Sequence, residues 1–208
     1  CLRYATICSN AGFLGNPIAQ GVFGMMGLTL ASIYLIPQRI MMWSEGVSVF
    51  TEAPTKKEML KKIFTHPCII ACEIGIVLML TGWRPPHFLE ETITSVSNCN
   101  TAMSMLVIGM ILADADPKTI IDKDVLFYTF IRLLIIPFCV FIPCWLLHTD
   151  SLVMGVSVIL AAMPAGATTT ILASKYDCEE EFSVKLVVFS TAASLITTPL
   201  WNMILLKF

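Results

Sequence analysis

The chain has 208 residues, 56% of them hydrophobic and 13% charged, with a formal net charge of −2. A soluble domain carries about 25% charged residues, so a mean hydropathy of +0.79 excludes an ordinary water-soluble globule. With so little charge, no nucleic-acid surface is expected, and the chain reads as an all-α integral membrane protein.

Seven apolar runs recur, at 5–25, 27–50, 66–83, 92–113, 125–147, 151–175 and 182–206. Each is close to the ~20 residues a helix needs to cross a hydrocarbon core. The first run contains SNAGFLGNPIAQGVFG, with Asn16-Pro17 at its centre. Proline lacks an N–H and disrupts the preceding helical turn. A break is therefore expected there, with a short connection near 25 and an unbroken span over 27–50. The segment 51–65 (TEAPTKKEMLKKIFT) is the most polar connection and divides two spans from five. In the sixth run, ILAAMPAGATTTILASKY, Pro164 marks a second break.

Basic residues fall at alternate ends of these spans: Arg3, Lys56, Lys57, Lys61, Lys62, Lys118, Lys123, Lys175 and Lys185. The opposite ends carry Arg84 and Lys207. By the positive-inside rule, the loops near 51–65, 114–124 and 175–181 are cytoplasmic. The connections near 25, 84–91 and 148–151 then face outward. In this topology the first broken span runs outward and the second inward. Similar elements in opposite orientation are the mark of an inverted repeat, and paired broken helices point to a transporter's binding site. The expected division is 1–50 as the last two spans of a first repeat, 51–65 as a cytoplasmic linker, and 66–208 as a complete five-helix second repeat. Seven spans of ten would then be present. The chain opens at Cys1 directly in an apolar span, which suggests a fragment lacking about three N-terminal spans.

The candidate site residues cluster at the breaks. Asn10, Asn16 and Gln20 are amides that need partners in hydrocarbon. Pro17 and Pro164 would mark half-helix ends whose N-termini carry partial positive charge and free N–H groups, suited to a carboxylate. Thr168, Thr169 and Thr170 cover most of a turn after Pro164; back-bonding to the helix is their structural alternative. Asn98, Asn100 and Ser104 interrupt the fourth run, either gluing helices or lining a path. Arg39, Glu45, Glu73 and Arg132 are charges within spans, costing ~2.5–3.5 kcal/mol each at mid-membrane on the lenient insertion scale. Glu73 and Arg132 are the coupling candidates. Cys68 and Cys72, one turn apart, read as small packing residues, not a metal site. No nucleophile–base pair, phosphate loop or zinc spacing argues for an enzyme, and no cofactor is expected.

Several stretches carry a family resemblance. They are NAGFLGNP at 10–17, Ile33-Tyr34 with WSEG at 43–46, HPCIIA at 66–71 and MLVIGMILA at 105–113. RLLIIP at 132–137, AMPA at 162–165 and STAASLITTPL at 190–200 complete the set. Together they resemble the auxin efflux carrier family, which includes bacterial malonate-permease-like members. The resemblance implies a ten-helix inverted-repeat fold whose broken helices cross near mid-membrane. It also implies transport of small organic anions across the plasma membrane by alternating access. A small organic anion and the bilayer are then the expected partners, with proton coupling and a homodimer left open. A sodium-coupled symporter of the related broken-helix fold, or a non-transporting receptor or scaffold, are the alternatives.

Overall fold

The computed structural model describes residues 1–42, 65, 67–113, 121–205 and 207. Nearly all of the expected linker 51–65, together with Glu45, His66 and Lys118, lies outside the described residues. For Cys68, Cys72, Asn100 and Ser104 only the backbone is described.

The described chain is helical throughout, with α1 (Leu2–Ile7), α2 (Asn16–Met41), α3 (Pro67–Thr81), α4 (His87–Ala113) and α5 (Lys123–Phe130) followed by α6 (Ile136–Leu146), α7 (Ser151–Ala161), α8 (Thr168–Lys175) and α9 (Glu180–Leu205). Two π-turns interrupt it: Ala11–Gly15 leads into α2, and Ile131–Ile135 joins α5 to α6. Three helical stretches are long and apolar enough to cross a membrane: Ala11–Met41, Lys123–Leu146 and Glu180–Leu205.

The first of these is not straight. At Gly24 the backbone takes φ 68°, ψ −159°, a region essentially closed to side-chain-bearing residues. The chain folds back there as a helical hairpin. A straight helix would put Ser9 and Gln38 about 43 Å apart, yet the Gln38 amide donates to the Ser9 carbonyl at 2.9 Å. A Cβ on Gly27 would fall 2.6 Å from the Ala19 carbonyl oxygen, so the two arms touch. The connection expected near residue 25 therefore exists, and its cause is Gly24.

Both π-turns stand one residue before a proline, Pro17 and Pro137. Proline offers no N–H to the carbonyl four residues back, and the ring crowds that turn. Widening to a π-turn is one way for a helix to absorb this. At Pro137 the carbonyl left over is that of Leu133, and the Trp201 indole N–H donates to it at 2.9 Å. One proline thus sets both the turn and the contact that holds α9 against it.

Small residues bring the backbones together. Ala19 and Ala31 of α2 pack on Met154, Val158 and Ile159 of α7, with Trp201 and Leu205 of α9 closing the core. The Phe23 ring lies where a Cβ of Gly155 would be, 2.7 Å from its Cζ. Between helices in lipid, this close packing supplies the attraction that water would otherwise drive. Asp150 caps α7, its Oδ1 accepting the Leu152 N–H at 2.9 Å. The described side chains of α4 are all exposed.

Candidate functional site

The helix ladder opens at two places. After α1, Cys8 turns extended (φ −102°, ψ 94°), and the chain stays non-helical through Asn10. After α7, residues 162–167 are non-helical until α8 begins. The two open segments meet as an antiparallel bridge between Ser9 and Ala165. The Asn10 N–H donates to the Pro164 carbonyl at 2.8 Å, and the Gly166 N–H to the Cys8 carbonyl at 3.0 Å. Each segment satisfies the other where its own helix no longer can, which a buried backbone requires. Gly166 has to be a glycine for steric reasons: a Cβ there would sit 2.9 Å from the Cys8 carbonyl oxygen.

The first opening is thus seven residues before the position expected from the proline. At Asn16-Pro17 the π-turn passes into α2 without a gap, and Pro17 occupies the first turn of that helix. The correction has a simple cause. The π-turn Ala11–Gly15 takes up the missing N–H and the bulk of the ring, so the helix runs on through Pro17. The second opening does contain Pro164, which is buried and contributes its carbonyl to the bridge.

Side chains from other helices hold the joint. Arg132, 5% exposed, donates from Nε to the Met163 carbonyl at 3.0 Å and from Nη1 to the Thr6 carbonyl at 3.2 Å. Both carbonyls stand at the C-terminal ends of their helices, α7 and α1, where the dipole favours a cation. Among the described residues no carboxylate lies within 4.0 Å of Arg132. The Tyr128 hydroxyl donates to the Ala5 carbonyl at 2.8 Å. Ser190 accepts the Ala165 N–H at 3.1 Å and donates to the Leu186 carbonyl at 2.6 Å. Tyr4 donates to the Thr168 hydroxyl at 3.2 Å, tying α1 to α8.

The expected site residues separate into two groups. Asn10, Pro164, Arg132 and Thr168, Thr169 and Thr170 lie in or beside the joint. Asn10 is 3% exposed and its Nδ2 has no partner; Thr169 Oγ1 and Thr170 Oγ1 are likewise buried without one. Asn16 stands on the far side of the π-turn, its Oδ1 buried and unpartnered. Gln20 is exposed near the hairpin turn, with Met25 Sδ 3.5 Å from its Nε2. Asn98 and Glu73 are exposed on α4 and α3, and Asn100 lies on α4. Arg39 reaches across the hairpin, its Nη2 3.8 Å from where a Cβ of Gly12 would be.

Sequence reading did not single out Ser9, Gln38, Tyr128 or Ser190. A serine or glutamine in a spanning run was the available signal, but many such residues merely bond their own helix. Only the packing distinguishes Ser190, which does both.

Helices long and apolar enough to cross a membrane, with a polar joint between opened segments, define the class as a multi-pass membrane protein. The family model described as "Membrane transport protein" matches residues 50–202, and the chain belongs to that family. An uncharacterized transporter of Methanothermobacter thermautotrophicus is 27% identical over 98% of this chain and 67% of its own length. Uncharacterized transporter MJ1031 of Methanocaldococcus jannaschii is 24% identical, over 99% and 68%. Auxin efflux carrier component 8 of Arabidopsis thaliana is 23% identical over 69% of this chain and 41% of its own length. The chain thus spans about two thirds of the archaeal relatives, and these relatives are transporters. The auxin-efflux-carrier-like family and the apolar helices make this a multi-pass plasma-membrane protein.

Proposed function

We propose that the protein is part of a secondary carrier that moves a small organic anion by alternating access. The carrying observation is the Ser9–Ala165 bridge, a polar joint of two opened helices inside apolar spans. In lipid, non-helical backbone is tolerated only where it faces protein or a water-filled cavity. The joint has an electrical polarity that favours anions. Its carbonyl ends are already occupied by the Arg132 guanidinium. Its N–H ends, at the first turns following each opening, are accompanied by the unpaired Asn10 amide and the Thr169 and Thr170 hydroxyls. Such donors suit the oxygen acceptors of an anionic cargo.

On this reading the division into 1–50, a linker at 51–65 and a second repeat at 66–208 describes two inverted halves, and the bridge is where they cross. One half rocks against the other around the fixed joint. The experiment is uptake by the full-length protein in proteoliposomes, with labelled malonate, malate and an indole acid as probes. Saturable uptake that persists in sodium-free buffer supports the carrier. Strict sodium dependence moves the protein to the symporter class, and no saturable uptake of any carboxylate leaves a receptor or scaffold. A superimposed pH gradient reads out proton coupling in the same vesicles.

A further inference from the structure

Beside the bridge lies a cavity of 240 Å3 between the second arm of the α2 hairpin and α6. Its polar lining is Ser9, Tyr34, Gln38 and Arg132, and Ile136 and Val140 are part of its apolar wall. We propose that this cavity holds the carboxylate of the cargo on Arg132, and that the same cargo carries a hydroxyl or N–H that donates to Gln38. The proposal rests on the carrier reading above and gives its binding site a place and a chemistry.

Three observations converge on it. The first is the unused capacity of Arg132. A guanidinium has five N–H donors, and two are committed to the Met163 and Thr6 carbonyls. The remaining donors belong to Nη1 and Nη2, the edge that binds a carboxylate in a bidentate fork. The second is charge. A buried cation without a counter-ion is unfavourable, and two carbonyl dipoles offset that only in part. The described residues supply no carboxylate within 4.0 Å, which leaves the guanidinium open to an anionic ligand.

The third observation is the orientation of Gln38. Its Nε2 donates to the Ser9 carbonyl at 2.9 Å and the Ser9 hydroxyl oxygen at 3.1 Å. A carbonyl acceptor fixes which end of the amide is nitrogen, so Oε1 is the free end. That Oε1 is buried and has no partner. Gln38 is part of the cavity lining, and a buried acceptor without a partner is suited to a donor on the ligand. The pocket therefore asks for both charges of hydrogen-bonding: an anionic acceptor for Arg132 and a donor for Gln38. The apolar wall leaves the body of the cargo hydrocarbon.

The test uses two acids that differ by one hydroxyl, 2-hydroxyisocaproate and isocaproate, titrated into the purified full chain by calorimetry. The hydroxy acid is expected to bind about tenfold tighter, the worth of one hydrogen bond. Gln38→Leu should bring the two affinities together. Arg132→Gln should weaken both at least tenfold. Because Arg132 also ties Thr6 and Met163, Val140→Trp provides an independent check: it fills the cavity, leaves every polar contact in place, and should abolish binding of both acids. Equal affinities in the wild type, no binding of either acid, or binding that survives Val140→Trp would overturn the assignment. Binding as expected without uptake in vesicles keeps the site and removes the carrier reading. Uptake whose KM is unchanged in Val140→Trp keeps the carrier and removes the site.

Discussion

One glycine and one asparagine decide whether the joint forms and what it prefers. Gly166 lies under the Cys8 carbonyl oxygen, and backbone cannot yield as a flexible side chain can. Gly166→Ala is therefore expected to part the bridge and expose two backbone hydrogen bonds, at about 1–3 kcal/mol for each group left unpaired. Gly21 is the control, since nothing lies within 4 Å of a Cβ there. In the helical arm of α2, Gly21→Ala should be neutral or stabilise by roughly 0.5–1 kcal/mol. Melting temperatures of the two variants in one detergent test this; equal shifts would show that the bridge is not a close-contact constraint. Asn10 carries the clearest electrostatic prediction. Its unpaired Nδ2 is a donor in a donor-rich joint. Asn10→Asp keeps the shape but substitutes an anion. If a carboxylate approaches this end of the joint, its affinity should fall by more than the roughly tenfold to hundredfold expected from losing one charge-assisted bond. Comparing Asn10→Ala with Asn10→Asp in a binding titration separates lost attraction from added repulsion. Identical losses would take Asn10 out of anion contact.

At the scale of elements, prolines shape this chain less by breaking helices than by freeing carbonyls. Leu133 loses its helical donor to Pro137 and gains Trp201. Trp201→Phe should cost about 1–3 kcal/mol by leaving that buried carbonyl unpaired. In a Pro137→Ala background the restored N–H competes for the same oxygen, so Trp201→Phe should cost clearly less. Contacting groups that share a partner are expected to be non-additive by 0.5 kcal/mol or more. A double-mutant cycle on stability measures this; strict additivity would separate the proline from the tryptophan. The same logic explains what was legible in the sequence. Hydropathy and loop charge identified the apolar runs, and a connection near residue 25 followed from their lengths. Met163-Pro164 also pointed to a real opening. Asn16-Pro17 misplaced the other opening, because a π-turn lets the helix continue through the proline. Cys8 and Ser9 carry no breaker signal of their own. The segment opens because Gly166 donates to Cys8 and Pro164 accepts from Asn10, each pair far apart in the chain, which no local pattern records.

Among the described residues, one buried cation and one bridge organise the bundle, and both bear on how it sits in the bilayer. Arg132 binds the C-terminal ends of α1 and α7, and the segments that follow them pair antiparallel. On the inverted-repeat reading, the outer ends of these helices, near Cys1 and Ser151, lie towards opposite faces of the membrane. Charge assigns the sides: Arg3 and Lys185 line one cavity at the end of the bundle near α1, while Asp150 caps the far end of α7. The positive-inside rule puts the first group in the cytoplasm. Single cysteines in a background without native cysteines read this directly. Asp150 is unsuitable as a probe because it caps α7, whereas Leu147 is 75% exposed in the same connection. In intact cells expressing the full chain, Leu147→Cys should react with a membrane-impermeant thiol reagent, and Lys57→Cys should react only after permeabilisation. The reverse pattern would invert the protein in the membrane, turning the Arg132 cavity and the bridge over with it. Labelling of both sites in intact cells would place 57 and 147 on one side. An even number of crossings would then separate them, and the opposed entry of α1 and α7 into the joint could not belong to a spanning bundle.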